Sequence, residues 1–490
     1  MRDMDIQATI SRLQGFRQAS YQMFEARPDA TMDLIDALST NISARSVAEL
    51  SLNPYFRFTY NSVYDAIDNF FIPREPDKAD EERREVEKRH VRLIASVLPE
   101  PTNRPFWLFA LDGTPYQRLW ARTLADRGFI HVSEVVSGKK PVTIGHEYSP
   151  LVYLPEKTTP DDPPWVVPLS VRRVPTSSKP TLIGAEQVAA LMEDKDLPFH
   201  EALCVLVADI GYSAVTFLGP VVSYENLVTV TRFRSNRVFY HRPEIKNGES
   251  GAGHPTWYGE RFALREPDTW GKPDEIITIP VTTKKGHSWR VCLEGWHDKL
   301  MRGKKDIPMH QHPFTLIRVQ VFNEQGDLVF RRPMWLGILG ERRREIALAD
   351  AKEAYTQRFD EEHYFRFDKQ RMLMTAFETP DVRREENWMQ IVPLAYTQLW
   401  LARELAQAMP YPWERYQPQR EDQVLSPSMV QRDFGRIIRE IGTPAQPPKP
   451  RGNSGGRPKG TRLESRIRHT VVRKGKKTSK TVPKPAQTGC

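Results

Sequence analysis

Hydrophobic and polar positions divide the chain into stretches of different period. Up to residue 100, apolar side chains recur at steps of three or four: Ile6, Ile10, Leu13, Phe16, Ala19 and Met23, then Leu34, Ile35 and Leu38, then Val63, Ile67 and Phe70. That is the helical period, so several short helices in series are expected to form a small helical domain. A helix-turn-helix DNA reader and a plain bundle are both open. The charged run from Lys78 to Arg92, after Pro73 and Pro76, reads as a solvated helix face or a linker.

Near residue 105 the texture changes. Phe106–Leu111 and Leu203–Ala208 are unbroken apolar runs, too short for buried helices and followed by turn residues. They predict two buried strands, one ending on Asp112 before Gly113-Thr114-Pro115 and the other on Asp209. Weaker strand signals at Val142–Ile144 and Trp165–Leu169 and a helical stretch at Glu186–Met192 lie between them. From 226 to 335 strand patterns dominate, at Leu227–Thr231, Ile276–Thr282, Trp289–Leu293, Phe314–Phe322 and Leu328–Phe330. The helical period returns over Arg342–Phe377 and Ile391–Ala408. A last helix follows Ser426-Pro427, with Val430, Phe434, Ile437 and Ile441 on one face and Gly442 beyond its end. The class is α/β.

Composition sharpens this picture. A 39% hydrophobic content supports packed cores, and no apolar run approaches the roughly 20 residues of a membrane span. Arg2, Asp3 and Asp5 precede any apolar run, unlike a secretory signal, so a soluble protein inside the cell is expected. Cys204, Cys292 and Cys490 are too scattered for a disulfide framework or a zinc site. Between Lys449 and Cys490, 13 Lys and Arg face the single acid Glu464, so the tail carries +12 against a whole-chain charge of +9 and the rest is mildly acidic. A basic arm gains affinity by releasing counterions from phosphates, and this one has few apolar residues to insert into lipid; nucleic acid is the expected partner. Its Pro, Gly, Lys and Arg composition predicts disorder over 443–490. Within it Gly456-Arg457-Pro458-Lys459-Gly460 looks like the core of an AT-hook, which would lay Arg457 in the narrow minor groove of A·T-rich DNA with Lys459 also binding DNA. Generic phosphate binding by Lys474, Lys476, Lys477 and Lys480 is the broader reading.

The most specific signal is Tyr355, Arg358, Glu362 and Lys369, at offsets of three, four and seven on the expected helix. At about 100° per residue these four share one face. A salt-bridged solvated stripe would have the same period. The spacing Tyr, two residues, Arg, three residues, Glu, six residues, Lys resembles, without departure, the Tyr-Arg-Glu-Lys signature of a large group of bacterial insertion-sequence transposases of the DDE class. Leu111-Asp-Gly-Thr114, Ala208-Asp-Ile-Gly-Tyr212 and the β-rich stretch before the helix agree in order, and the likeness spans roughly Trp107 to Met374.

The resemblance implies a ribonuclease-H-like catalytic core with a β-rich insertion. Residues 1–100 would then be a helical domain, 101–225 the first part of the core, 226–335 the insertion, 336–442 the rest of the core with C-terminal helices, and 443–490 the tail. Asp112, Asp209 and Glu362 would hold two Mg²⁺ or Mn²⁺ ions, Asp112 bridging them, for phosphodiester cleavage and strand transfer. Arg358 and Lys369 would clamp phosphates and Tyr355 would position the same strand. Trp335 would stack on a flipped base, with a core position as its alternative. Arg232, Arg234 and Arg237 would contact DNA backbone or sit on a solvated strand edge. Asp112 and Asp209 could otherwise cap turns; Asp360, Glu361 and Asp368 read as solvated neighbours, and His310 and His312 as a surface loop. The partners implied are double-stranded DNA, as element ends and target, and a second copy on DNA, in the bacterial cytoplasm at the nucleoid. The alternative from another class is a catalytically silent, transposase-derived DNA-binding protein.

Overall fold

The computed structural model describes residues 2–132, 141–159, 161–243, 257–283, 286–410, 413–414 and 424–450, and, of the tail, 452, 456, 458–462 and 464–473. The chain opens with helices α1 (Arg2–Met23), α2 (Pro28–Ser39), α3 (Tyr60–Asn69) and α4 (Ala79–Ala95). α2 begins on Pro28, whose fixed φ suits the first helical position and whose missing N–H would have had no partner there. The charged run forms α4, and it is neither a linker nor wholly solvated. Glu87 is buried and accepts from Arg172 Nε at 2.8 Å.

Next come β1 (Trp107–Leu111), β2 (Thr114–Gln117), β3 (Gly128–His131), β4 (Val142–Tyr153), β5 (Val167–Val174), α5 (Pro180–Met192), β6 (Cys204–Ala208), α6 (Val215–Val222) and β7 (Leu227–Phe233). β5, β4, β1, β6 and β7 lie side by side in that order. β1–β6 and β6–β7 are parallel; β1–β4 and β4–β5 are antiparallel. Every residue of β1 and β6 is buried, as expected of strands covered on both faces, and this is why they read as continuous apolar runs. The arrangement is compatible with a ribonuclease-H-like core.

The following strands are β8 (Val238–Tyr240), β9 (Arg261–Ala263), β10 (Glu275–Thr282), β11 (Ser288–Lys299), β12 (Phe314–Phe322) and β13 (Met334–Leu339). β8 and β9 pair apart from the rest. β13 joins β7 antiparallel, and β12, β11 and β10 follow outward, so the β-rich stretch continues the central sheet. β10, at the edge, alternates half-buried and exposed positions.

The single helix expected over Arg342–Phe377 is broken into a short 3₁₀ turn, α7 (Leu348–Gln357) and α8 (Asp360–Gln370). At the α7–α8 join Glu361 N donates to Arg358 O and Glu362 N to Phe359 O, both i→i+3 bonds that wind the backbone tighter than an α-helix. α9 (Val382–Ala402) starts earlier and ends earlier than its pattern suggested, and α10 (Pro427–Ile441) stops at Gly442, whose φ of 78° favours glycine.

α9 ties the halves together. Its Glu385 is buried with Oε1 2.6 Å from His146 Nδ1 on β4, accepts from Tyr148 OH at 2.8 Å, and lies 3.3 Å from Arg118 Nε. Its Gln398 accepts from Arg17 of α1 at 2.8 Å, while Arg17 also pairs with buried Asp36 of α2. Described parts of the tail touch the body of the protein. Gln446 N donates to Asp29 at 2.7 Å; farther on, His469 N donates to Arg122 O and Val472 N to Arg127 O, bridging Val472 to Gly128 on β3. β3 offers unpaired backbone groups, and an extended tail segment uses them. Arg457, Lys474, Lys476, Lys477, Lys480 and Cys490 lie outside the described residues; Lys459 is exposed.

Candidate active site

The parallel pairing of β1 with β6 sets Leu111 opposite Ala208, so Asp112 and Asp209 emerge side by side from adjacent strand ends. Each is held by its own backbone turn. Asp112 Oδ1 accepts from Gly113 N at 2.7 Å, and Asp209 O accepts from Tyr212 N at 2.9 Å and Thr231 Oγ1 at 3.3 Å. α5 presses on both loops where Gly184 leaves room: a Cβ there would lie 2.6 Å from Leu111 Cδ2 and 2.9 Å from Tyr212 Cε1.

A cavity of about 930 Å³ opens over these strand ends, lined by Asp112, Asp209 and, from α8, Glu362. Lys369 lines it too. Sequence reasoning missed Glu147, Lys179 and Arg366 in the same wall. Arg366 was findable, being one helical turn beyond Glu362; Glu147 and Lys179 are brought in by β4 and the start of α5, which no local pattern signals.

Burial pushes the Asp112 carboxyl up to about 6, with Asp209 and Glu362 adding to the rise and the Gly113 N–H and Arg358 opposing it. Arg358 is buried, its Nη1 3.1 Å from Asp112 Oδ2 and its Nη2 3.9 Å from Glu362 Oε1. It therefore faces the acids, where the sequence had placed it toward DNA phosphates. Tyr355 is likewise buried, under the Arg358 guanidinium. Both lie where they do because the tightened α7–α8 join turns this face onto the strand ends.

Three acids expected in solvent are buried. Glu361 is wholly enclosed, neither carboxylate oxygen has a hydrogen-bond partner, and burial beside Asp112 drives its pKa well above the usual range. Burial pushes Asp368 up to about 8, and Asp360 pairs with Lys157 at 2.7 Å. The reason is α9, whose Tyr396 packs on Tyr364 at 5.0 Å and on Phe367 at 5.8 Å, covering the side of α8 that the local pattern had left to water.

Trp335 lies in the core and not at a surface. It is 1% exposed and meets Trp270 at 5.1 Å and Trp296 at 5.8 Å. Arg232 and Arg234 are exposed, whereas Arg237 donates to Ser213 O at 2.7 Å and lies over Phe233. His310 stacks on Trp257 at 4.4 Å.

The donor set suits a hard divalent cation, since it is all carboxylate oxygen. As the side chains stand, no three His, Cys, Asp or Glu among the described residues are close enough to share one ion. The side chain of Glu362 is 57% exposed and has room to turn inward.

Acids at the tips of adjacent parallel strands, with an acidic residue from a later helix lining the same cavity, make this an α/β fold with a carboxylate-lined site. The match of the DDE superfamily endonuclease family to residues 20–300, more than half of the sequence, makes the assignment specific: the chain belongs to that family. Asp112 and Asp209 fall inside the match and Glu362 beyond it. No curated protein matches this chain. Membership points to a transposase-like nuclease acting on DNA, in a family that typically uses divalent metals. Among the described residues no helix is long and apolar enough to cross a membrane.

Proposed function

We propose that this protein is a DNA transposase of the insertion-sequence group with the Tyr-Arg-Glu-Lys signature, working in a bacterial cytoplasm as a dimer on its element ends. The observation that supports the reading is that Asp112, Asp209 and Glu362 line one open cavity. These three would hold two Mg²⁺ or Mn²⁺ ions, which when bound stabilise the attacking and leaving oxygens of a phosphodiester. Arg358 holds Asp112 in place and neutralises part of the crowded charge until a cation arrives. Lys179, Arg366 and Lys369 surround the acids with positive charge and receive the phosphates on either side of the reacting one. Tyr355 supports Arg358 from below and Trp335 supports the sheet, so neither contacts DNA in this arrangement.

The test is cleavage of a supercoiled plasmid carrying the DNA that flanks the gene, with Mg²⁺ or Mn²⁺. Nicking followed by joining of 3′ ends to target DNA supports the transposase. Cleavage without joining marks a plain nuclease, and tight binding without any cleavage marks the silent DNA-binding descendant.

A further inference from the structure

A second cavity, of about 330 Å³, lies on the other side of the Asp209 loop, and its wall contains Arg232, Arg234, Arg265 and Arg332 without a single acid. The remaining lining is Ile210, Phe233, Ser235, Asn236 and Pro333. Several arginines elsewhere on this wing of the sheet find carboxylates within the chain, although Arg290 and Arg331 show no ion pair among the described residues. Arg318 pairs with Glu294, Arg342 with Glu345, and Arg343 and Arg344 share Asp298. Among the described residues the four cavity arginines have no ion pair, although they are drawn from three separate segments of the sequence. Four like charges gathered around one hollow raise a positive potential there, and an anion between them would relieve it.

The cavity is built on firm backbone. Phe233 forms its buried floor, and Arg237 N donates to Arg234 O at 3.0 Å, closing the turn that carries Ser235 and Asn236. The loop dividing the two cavities is fixed at both ends. Thr231 Oγ1 donates to Asp209 O, and Arg237 Nη2 to Ser213 O. Asp209 faces the acidic cavity and the very next residue, Ile210, faces the basic one.

We propose that this cavity is a phosphate-binding site for the same DNA strand that enters the acidic cavity, taking a backbone phosphate a few nucleotides from the one that reacts. The proposal rests on the transposase reading for the identity of the strand. The ligand chemistry is a phosphodiester, which the planar guanidinium forks of several arginines fit better than lysine ammoniums would. Arg265 and Arg332 thereby become DNA-contacting residues that neither the sequence pattern nor the acidic site indicates, and Arg237 is a positioning residue that braces the dividing loop.

The test is binding of the full chain, made cleavage-silent by Asp112→Asn, to a fluorescent DNA duplex across a salt series without metal. In that background Arg265→Gln with Arg332→Gln is expected to lower the slope of log affinity against log salt by about 1 to 2, because each neutralised duplex phosphate contributes about 0.9. Affinity at low salt should fall about ten-fold, with Lys at both positions restoring part of it. Arg331→Gln, exposed next to Arg332 but outside the cavity, is the control and should change the slope by less than half as much. An unchanged slope in the double variant, or an equal loss in the control, would overturn the site. The two readings separate cleanly. A wild-type chain that cuts and joins DNA while the double variant keeps its slope defeats this inference alone. A lowered slope with no cleavage by the wild type keeps the phosphate site and defeats the transposase.

Discussion

The tips of the central parallel strands and the neighbouring antiparallel wing treat charge in opposite ways. At the strand tips Asp112 is largely buried, and the protein provides the counter-charge itself in Arg358, which is buried against it at 3.1 Å. On the wing, Arg232, Arg234, Arg265 and Arg332 remain exposed around a hollow with no carboxylate in it. Burying a charge costs far more than leaving it in water, so a chain that buries an acid either pairs it, as Asp112 with Arg358, or keeps it protonated, as Glu361 and Asp368, while a surface can leave that role to a ligand. The acidic cavity is thus a charge cluster partly balanced from within, and the basic cavity one balanced only from outside.

The largest expected effect tests the acidic side. Asp112→Asn, Asp209→Asn or Glu362→Gln should each lower DNA cleavage on the order of a thousand-fold while duplex binding persists. A variant at any one of them with full activity would remove that residue from the site. Next, Arg358→Ala should leave Asp112 buried without its partner and lower unfolding stability by roughly 2 to 4 kcal/mol, measured by urea titration at neutral pH. An equal cost from Arg234→Ala would erase the contrast between the two cavities. Divalent metal gives a third check. Mg²⁺ at about a hundred times its Kd should stabilise the wild type by about 2.7 kcal/mol and the Asp112→Asn variant by much less.

The smallest effect is a slope. Asp368 is pushed up to about 8 by burial, above its unfolded value near 4, so between those pH values the folded state binds more protons than the unfolded one. Stability from this group is complete below about pH 4 and is lost as pH rises toward 8. The wild type should therefore lose up to about 1.4 kcal/mol per pH unit across that window, and Asp368→Asn should flatten the decline. Parallel curves for the two proteins would mean that water reaches the carboxyl.

How much of this was legible along the chain depended on the reach of the interaction concerned. Phe106–Leu111 and Leu203–Ala208 could be recognised as buried strands because full burial on both faces leaves no polar residue in the run, and the acid after each follows directly. The last helix was legible to within a residue, since Pro427 and Gly442 act on the backbone locally. The environment of Glu361 was not: adjacent to Glu362 on a helix, it could be assigned to water only by ignoring Tyr396 of α9, 35 positions further along. Trp335 illustrates the same limit, because Trp296 reaches it through the pairing of β11, β12 and β13, and Trp270 through the segment after β9.

The order of residues alone determined which segments become helix or strand, where two strands end on aspartates, and the spacing from Tyr355 to Lys369, because period, turn chemistry and backbone preference act over a few neighbours. Folding in three dimensions decided which of those charges meet, which are enclosed, and which are left to a partner. Those outcomes depend on distances between segments far apart in the chain, and no local pattern encodes them.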